Sequence, residues 1–300
     1  MGIKSVKDAT VFIKQNRLAY LLLFPIIFLR RLILRLKTKR FEKFYSSTFK
    51  SVEKGSLVVR VPEFEGIFEI DFRSHILKRI LKDKHYEPIF VEVVKKYVDP
   101  QKDVLDVGAN VGLFAILFSK IISSNNRVLA IEPAPLALDY LRRNIERNCP
   151  SQSIIVFEGI ATNEESIFRL NTIQGMEEYS SLGNIVHPSV QGRSYESIEV
   201  KSSTIDNLVT EFNLNPGFIK IDTEGAEYLV VSGAINTLMK YRPVILSELS
   251  DTLLSSFGDT SEKVIKLLQI NGYKIVNAKA YSVPIRQPFN GEILALPIEE

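Results

Sequence analysis

From Lys102 onward, short apolar runs alternate with helical stretches, and this alternation leaves few folds open. Val104–Val107, Val128–Ile131, Ile154–Phe157, Phe218–Ile221 and Val244–Leu249 read as buried strands. Helical spacing follows at Leu113–Ile122, at Leu136–Asn148, from near Glu224, and at Ser261–Asn271. Strands and helices at this period predict an α/β fold with a doubly wound, mainly parallel sheet. Two late strands, Tyr273–Val276 and Ile293–Leu296, close the pattern. Ligands of such sheets sit at the carboxyl ends of the strands, near the point where the strand order reverses. Upstream, the bursts Leu57–Val61 and Ile67–Phe72 read as a small hairpin, and residues 76–98 as one or two helices. Residues 160–203 carry no regular period and are expected to cover the site as a lid or substrate wall.

Composition narrows the class further. The chain has 300 residues, enough for one large or two small domains. With 45% hydrophobic and 24% charged residues, global disorder is excluded. A single cysteine, Cys149, rules out a disulfide framework and any cysteine-based zinc site.

The run Asp106-Val-Gly108-Ala-Asn110-Val-Gly112 joins the first strand of the alternating region to an apolar helix. Gly108 permits a tight turn and close backbone approach, and Gly112 lets the helix start pack near the strand. The dinucleotide fingerprint G-x-G-x-x-G is absent, which disfavours an oxidoreductase. An acid at the strand end suits a ligand with an ammonium group, such as the amino-acid end of S-adenosylmethionine; Asp106 would accept from it directly or through water. Glu132 ends the second strand, where a carboxylate accepts hydrogen bonds from ribose hydroxyls. That step is shared by NAD and S-adenosylmethionine sites. Glu158 ends the third strand and is the candidate to flank an adenine, with a solvated loop acid as the equal alternative.

These motifs, taken in order, resemble the FkbM-type methyltransferases, a branch of the class I S-adenosylmethionine-dependent methyltransferases. The similarity covers about residues 86–250. It rests on Tyr86-Glu87-Pro88, on the run at 106–112, on Ile131-Glu132-Pro133, on Ser180-Ser181, on Ile219-Lys220-Ile221-Asp222-Thr223-Glu224-Gly225-Ala226-Glu227, and on Arg242-Pro243 leading to Glu248. The resemblance implies a seven-stranded Rossmann-like sheet, S-adenosylmethionine as cofactor, and O-methylation of sugars or complex small molecules. It also implies that Tyr86 and Glu87 cover the cofactor's amino-acid end and that Ser180 and Ser181 contact cofactor or acceptor. Cofactor contacts are thus expected from Glu87, Asp106, Gly108, Asn110, Gly112, Glu132 and Glu158.

A second acidic cluster follows the Phe218–Ile221 strand. Alternation puts Lys220 and Asp222 on one face, with Ile219 and Ile221 on the other. Methyl transfer from a sulfonium is an in-line displacement in which the protein orients the acceptor and removes a proton from its hydroxyl. Asp222, Glu224 and Glu248 are the candidate bases, since crowding raises a carboxylate pKa toward the useful range. They also suit a Mg²⁺-like ion, but no histidine or clear ligand set accompanies them, so no metal site is assigned. Glu227 reads as a helix-start acid. His187 is a candidate base or substrate contact in the 160–203 stretch.

The first forty residues are a separate object. Residues 1–40 carry ten Lys/Arg and one acid, net +9, while the remaining 260 carry 28 basic and 34 acidic residues, net −6. The apolar run Leu18–Leu29 spans roughly 18 Å as a helix, short of a hydrocarbon core of about 30 Å. Its Arg30-Arg31 end is not a signal-peptide cleavage site. An in-plane helix on an anionic membrane surface fits better, with Arg31 and Arg35 on one face and Leu29, Ile33 and Leu36 on the other. The alternative is packing on the protein itself or on a partner. Pro25 is expected to kink or break the helix. The organisation expected is a leader over 1–40 and a catalytic domain over 41–300, in the cytoplasm or peripherally on the inner membrane face. Nucleic acid is not an expected partner: basic and aromatic residues do not interleave, and no Asn/Asp-Pro-Pro-aromatic box of a DNA-base methylase follows the fourth strand. The expected activity is methylation of a sugar hydroxyl in a glycan, glycolipid or related small molecule. The alternatives are another small metabolite as acceptor, or a non-catalytic membrane-tethered scaffold.

Overall fold

A computed structural model describes residues 17–49, 54–149, 153–183, 190, 192–281 and 283–298. His187 lies outside the described residues. The chain divides into two compact units, Met1–Glu53 and Lys54–Glu300.

The described residues of the first unit form the helix α1 (Arg17–Phe49). It does not break at Pro25 and continues nine residues beyond Arg40. A proline deletes one bond of the helical ladder, and the turns on both sides carry the backbone past it. Among the described residues, no helix is long and apolar enough to cross a membrane.

The second unit begins with the expected hairpin, β1 (Ser56–Val61) and β2 (Gly66–Asp71), paired antiparallel. Two helices follow, α2 (His75–Asp83) and α3 (Pro88–Tyr97). Ser74 caps α2, its hydroxyl accepting from Ile76 N at 3.1 Å. The alternating region then builds β3 (Asp103–Val107), α4 (Leu113–Ile121), β4 (Val128–Glu132), α5 (Pro135–Asn148) and β5 (Ile154–Glu158). Helix α5 fastens the hairpin through two asparagines one turn apart. The Asn144 amide exchanges hydrogen bonds with Glu69 N and O at 2.7 and 3.0 Å, and Asn148 does so with Ile67 at 2.9 and 2.8 Å.

The 160–203 stretch is more regular than its sequence suggests. It forms β6 (Ile160–Ala161), β7 (Ile167–Thr172) and β8 (Glu196–Ser203), a three-stranded sheet in the order β6-β8-β7. The partners β7 and β8 are far apart in sequence, which hides the hairpin. The reason it forms is period-2 patterning: Phe168, Leu170, Ile198 and Val200 pack on Ala134, Ala137 and Ile160.

The chain continues through α6 (Ile205–Glu211), β9 (Pro216–Ile221), α7 (Glu227–Ser232), α8 (Ile235–Tyr241), β10 (Val244–Ser250), α9 (Ser261–Ile270), β11 (Tyr273–Asn277) and β12 (Asn290–Pro297). The helix expected from near Glu224 starts at Glu227, because residues 222–226 form a loop. The central sheet has seven strands in the order β11-β12-β10-β9-β3-β4-β5. Strands β10, β9, β3, β4 and β5 run parallel, and β12 is antiparallel to both neighbours. Strand order reverses at β3: β4 follows on one side, and β9 lies on the other. Residues Leu105, Leu129, Ile131, Ile219, Ile221 and Ile245 of these strands sit in one continuous core. Burial on both faces of central parallel strands explains their mainly apolar runs.

Candidate functional site

A cleft of about 270 Å³ opens at the carboxyl ends of β3, β4, β9 and β10, at the reversal point. Its floor depends on glycine. Gly108 has φ +79°, and a Cβ there would lie 1.9 Å from the Asp222 carbonyl oxygen, so the two strand-end loops touch only if residue 108 has no side chain. Asp222 N donates to Val107 O at 3.0 Å, and Gly108 N to Ile131 O at 3.0 Å. These bonds tie together the ends of three adjacent strands.

Glu132 lines the cleft, 4% exposed. Its two oxygens accept from Asn110 N at 2.8 Å and Ala134 N at 2.9 Å. Burial raises its pKa to about 7, against the lowering effect of those two amides. Each oxygen keeps a further lone pair for a ligand hydroxyl. Gly108 and Asn110 also line the cleft, and Gly112 lies outside the lining, its φ of +88° opening α4.

Asp106 does not reach the cleft. It is fully buried, and neither carboxylate oxygen has a hydrogen-bond partner of good geometry. Lys220 Nζ stands 3.9 Å from Asp106 Oδ1 and 3.0 Å from Asp222 Oδ2. The same ammonium lies 5.0 Å from the Phe114 ring centroid. Burial raises the Asp106 pKa to about 6, with Lys220 pulling it down and Asp222 pushing it up. Burial also works against the Lys220 charge, but Asp222, Asp106 and Glu87 more than offset it and raise the lysine pKa. Lys220 is thus a buried cation bridging two strand-end acids.

Asp222, Glu224, Glu248 and Glu87 all line the cleft. Burial first, then the charges of Asp222 and Glu248, hold the Glu224 pKa well above the carboxylate range. The Asp222 charge, burial and Glu292 raise Glu248 to about 8. Burial and Asp222 raise Glu87, while Lys220 and Arg79 pull it down. Arg79 pairs with Glu87 at 3.3 Å and stacks on the Tyr86 ring at 4.6 Å. Glu227 faces away from the cleft and caps its own loop, accepting from Thr223 Oγ1 and Gly225 N, each at 3.0 Å.

The other expected residues separate. Ser180 lines the cleft, and its hydroxyl is buried without a hydrogen-bond partner. Ser181 lies outside the lining, its hydroxyl accepting from Gly183 N at 3.2 Å and its backbone bridged to Asn171. Glu158 is exposed, away from the cleft, and ion-paired with Arg142. It ends β5, the edge of the sheet, where solvent and a helix arginine are its natural partners.

Several lining residues carry no motif: His75, Arg79, Glu177 and Glu178. Glu178 accepts from His75 N and from Ser74 Oγ, and Glu177 accepts from Gly175 N at 2.7 Å. Burial raises both acids to about 7. Among the described residues, no group of three or more His, Cys, Asp or Glu side chains is arranged to hold a metal ion.

Comparison with known proteins gives this arrangement a family. The methyltransferase FkbM domain matches residues 106–275. The hexuronic acid methyltransferase AglP of Haloferax volcanii is 31% identical over 195 residues, covering 64% of this chain and 74% of that protein. A ribosomal protein L11 methyltransferase of Caldicellulosiruptor bescii is 33% identical over 110 residues, covering 33% of this chain and 34% of that one. The crystal structure of methyltransferase FkbM from Methylobacillus flagellatus KT aligns with 18% identity and a TM-score of 0.42, covering 66% of this chain. This chain spans 44% of that protein's length. The domain match takes in more than half the chain and runs from the glycine loop after β3 past the acidic loop after β9. On that match the chain belongs to the FkbM methyltransferase family and is an S-adenosylmethionine-dependent methyltransferase.

Proposed function

We propose that this chain methylates a sugar hydroxyl of a glycan, glycolipid or lipid-linked saccharide precursor. The observation that carries the reading is the meeting of Asp222, Glu224 and Glu248 in one cleft with Glu132. The lipid-linked part depends on the N-terminal helix alone.

The donor set fits S-adenosylmethionine. Glu132 is buried, faces the cleft and has accepting capacity left for a ribose diol. Gly108 and Asn110 bring backbone close to the same space, and Glu87 offers an anion for an ammonium group. Asp106 acts from beneath, through Lys220. When bound, the cofactor supplies a methyl group on a sulfonium, open to in-line displacement.

The chain's residues then have to orient the acceptor and take its proton. Asp222 stands at the end of β9 with the Lys220 ammonium 3.0 Å from its Oδ2. Glu248, with a pKa of about 8, suits the transfer of a proton near neutral pH, and Glu224 beside it stores one. Ser180 offers a free hydroxyl to an acceptor oxygen. The charge of the cleft favours a neutral acceptor. Among the described lining residues Arg79 is engaged with Glu87, and Lys220 beneath the cleft is engaged with Asp222, so an acceptor carboxylate would meet acids. A neutral hydroxyl therefore fits better than the hexuronic acid named for the Haloferax relative.

The test has two arms on the full chain. Calorimetry compares S-adenosylmethionine with NAD, using Glu132→Ala as control; sulfonium binding that this variant abolishes supports the cofactor assignment. Transfer of labelled methyl is then measured on neutral and uronate-bearing glycans, with Asp222→Asn and Glu224→Gln. Activity unchanged in both variants, or methyl found only on carboxylates, overturns the proposal.

A further inference from the structure

Helix α1 presents an apolar stripe to solvent. Leu29, Leu32, Ile33 and Leu36 are 55, 42, 43 and 50% exposed, and their spacing of i, i+3, i+4, i+7 places them on one helical face. Leu34 and Phe44 are also exposed. Arg35, Lys37, Lys39 and Arg40 are exposed around this stripe.

Single exposed leucines are ordinary, but four on one face of one helix call for a covering surface. Charge selects among the candidates. Residues 17–49 contain eight Lys/Arg and one acid, Glu42. A second copy packed on the same stripe would set like charges against each other with one acid per chain to answer them. A nucleic acid would answer the charge and leave the stripe wet. An anionic lipid surface answers both: leucine and isoleucine enter the acyl boundary while the basic side chains stay among the headgroups. Among the described residues no helix is long and apolar enough to cross a membrane, and a basic amphipathic helix of this kind suits the plane of the surface.

We infer that α1 docks this protein on an anionic bilayer, with Leu29, Leu32, Ile33 and Leu36 inserted and Arg35, Lys37, Lys39 and Arg40 on headgroups. On the proposed reading of a lipid-linked acceptor, such docking brings enzyme and acceptor to the same surface.

The experiment is flotation of the full chain with phosphatidylcholine vesicles, alone or with about 30% phosphatidylglycerol. Expected is binding to the anionic vesicles at least about tenfold tighter than to the neutral ones, weakened again at about 0.5 M salt. Leu32→Asp with Ile33→Asp, and separately Lys37→Glu with Lys39→Glu, should each cost about tenfold in partitioning. Calorimetric S-adenosylmethionine binding and far-ultraviolet circular dichroism report that both variants are folded. Equal binding to neutral and anionic vesicles overturns the charge assignment. Absence of vesicle binding, with light scattering that shows a dimer lost in the Leu32→Asp, Ile33→Asp variant, overturns the proposal in favour of a second copy. No binding and no dimer overturns it outright.

Discussion

Replacing Lys220 by methionine keeps most of the side-chain stem and removes the charge. Lys220 is 7% exposed, with its ammonium 3.0 Å from Asp222 and 3.9 Å from the fully buried Asp106. Breaking a buried pair by deleting one partner costs roughly 3–5 kcal/mol, because the other charge stays behind without compensation. Asp106 makes the cost depend on pH. With Lys220 present its pKa is about 6, and without that ammonium it rises further. The native variant therefore binds more protons than the native wild type between about pH 5.5 and 7.5, and acid favours the variant. Take a variant carboxyl protonated throughout this range and a wild-type one titrating near 6. Integrating the difference makes the destabilisation about 2 kcal/mol smaller at pH 5.5 than at pH 7.5. Urea unfolding of both proteins at the two pH values, followed by far-ultraviolet circular dichroism, reads the numbers directly. A loss under about 1 kcal/mol at pH 7.5, or the same loss at both pH values, would refute the buried-cation account.

Four more outcomes follow from the same geometry. Ribose hydroxyls donating to Glu132 would lower its pKa from about 7, so cofactor binding at about pH 7 should release roughly half a proton; calorimetry in two buffers of different ionisation heat measures it, and no release in the wild type refutes the assignment. Glu132, Glu177 and Glu178 all stand near 7 against an ordinary 4.5, so the stability they contribute is complete below about pH 4.5 and lost as pH rises through about 7. Thermal unfolding should show it, with the buried Glu132 accounting for up to about 3 kcal/mol and Glu132→Gln flattening the curve. Gly108→Ala drives a methyl against the Asp222 carbonyl and should abolish cofactor binding, while Gly258→Ala, at a similar φ of +74° but with nothing within 4 Å among the described residues, should bind normally; equal binding by the two sinks the argument from close approach. Glu224→Gly should raise stability by about 1 kcal/mol or more, since it removes a side chain from a left-handed residue and a crowded carboxyl, and should depress methyl transfer; a variant that loses stability contradicts the strain argument.

The central strands were legible because they are buried on both faces and so appear as mainly apolar runs between loop residues. The same geometry explains what was missed. Lys220 stands between Ile219 and Ile221 on β9, where a charged residue has no route to water. A lysine inside a strand of the central sheet needs a buried acid, and Asp106 on the neighbouring strand was the available partner; the pattern held that signal. Glu158 failed for the opposite reason. It has the same strand-end position as Glu132, but β5 is an edge and β4 is not, and edge position depends on strand order, which no local pattern carries. His75 and Arg79 come from a helix upstream of the alternating region, so only tertiary packing brings them to the cleft, while Glu177 and Glu178 belong to the 160–203 stretch expected over the site but carry no motif that marks them. The sheet of β6, β8 and β7 was hidden by the distance between its two longer strands.

Three of the non-glycine residues with positive φ meet in the cleft, while Glu65, Lys84, Asn213 and Arg242 lie outside its lining. Glu87, Asn110 and Glu224 are non-glycine residues with φ of 45°, 49° and 54°, and all three line the cleft. Each such conformation costs of order 1 kcal/mol and persists only where the surroundings over-determine it. Here the surroundings are identifiable. Glu87 is held by Arg79, Asn110 donates its N–H to Glu132, and the Glu224 loop is fastened by the bonds from Thr223 and Gly225 to Glu227. Each strained residue is thus next to, or bonded to, a carboxylate whose pKa is displaced. Backbone strain and electrostatic strain are stored together, on three loops that the sheet holds rigid. That coincidence is what a ligand with complementary charge and hydroxyls would relieve.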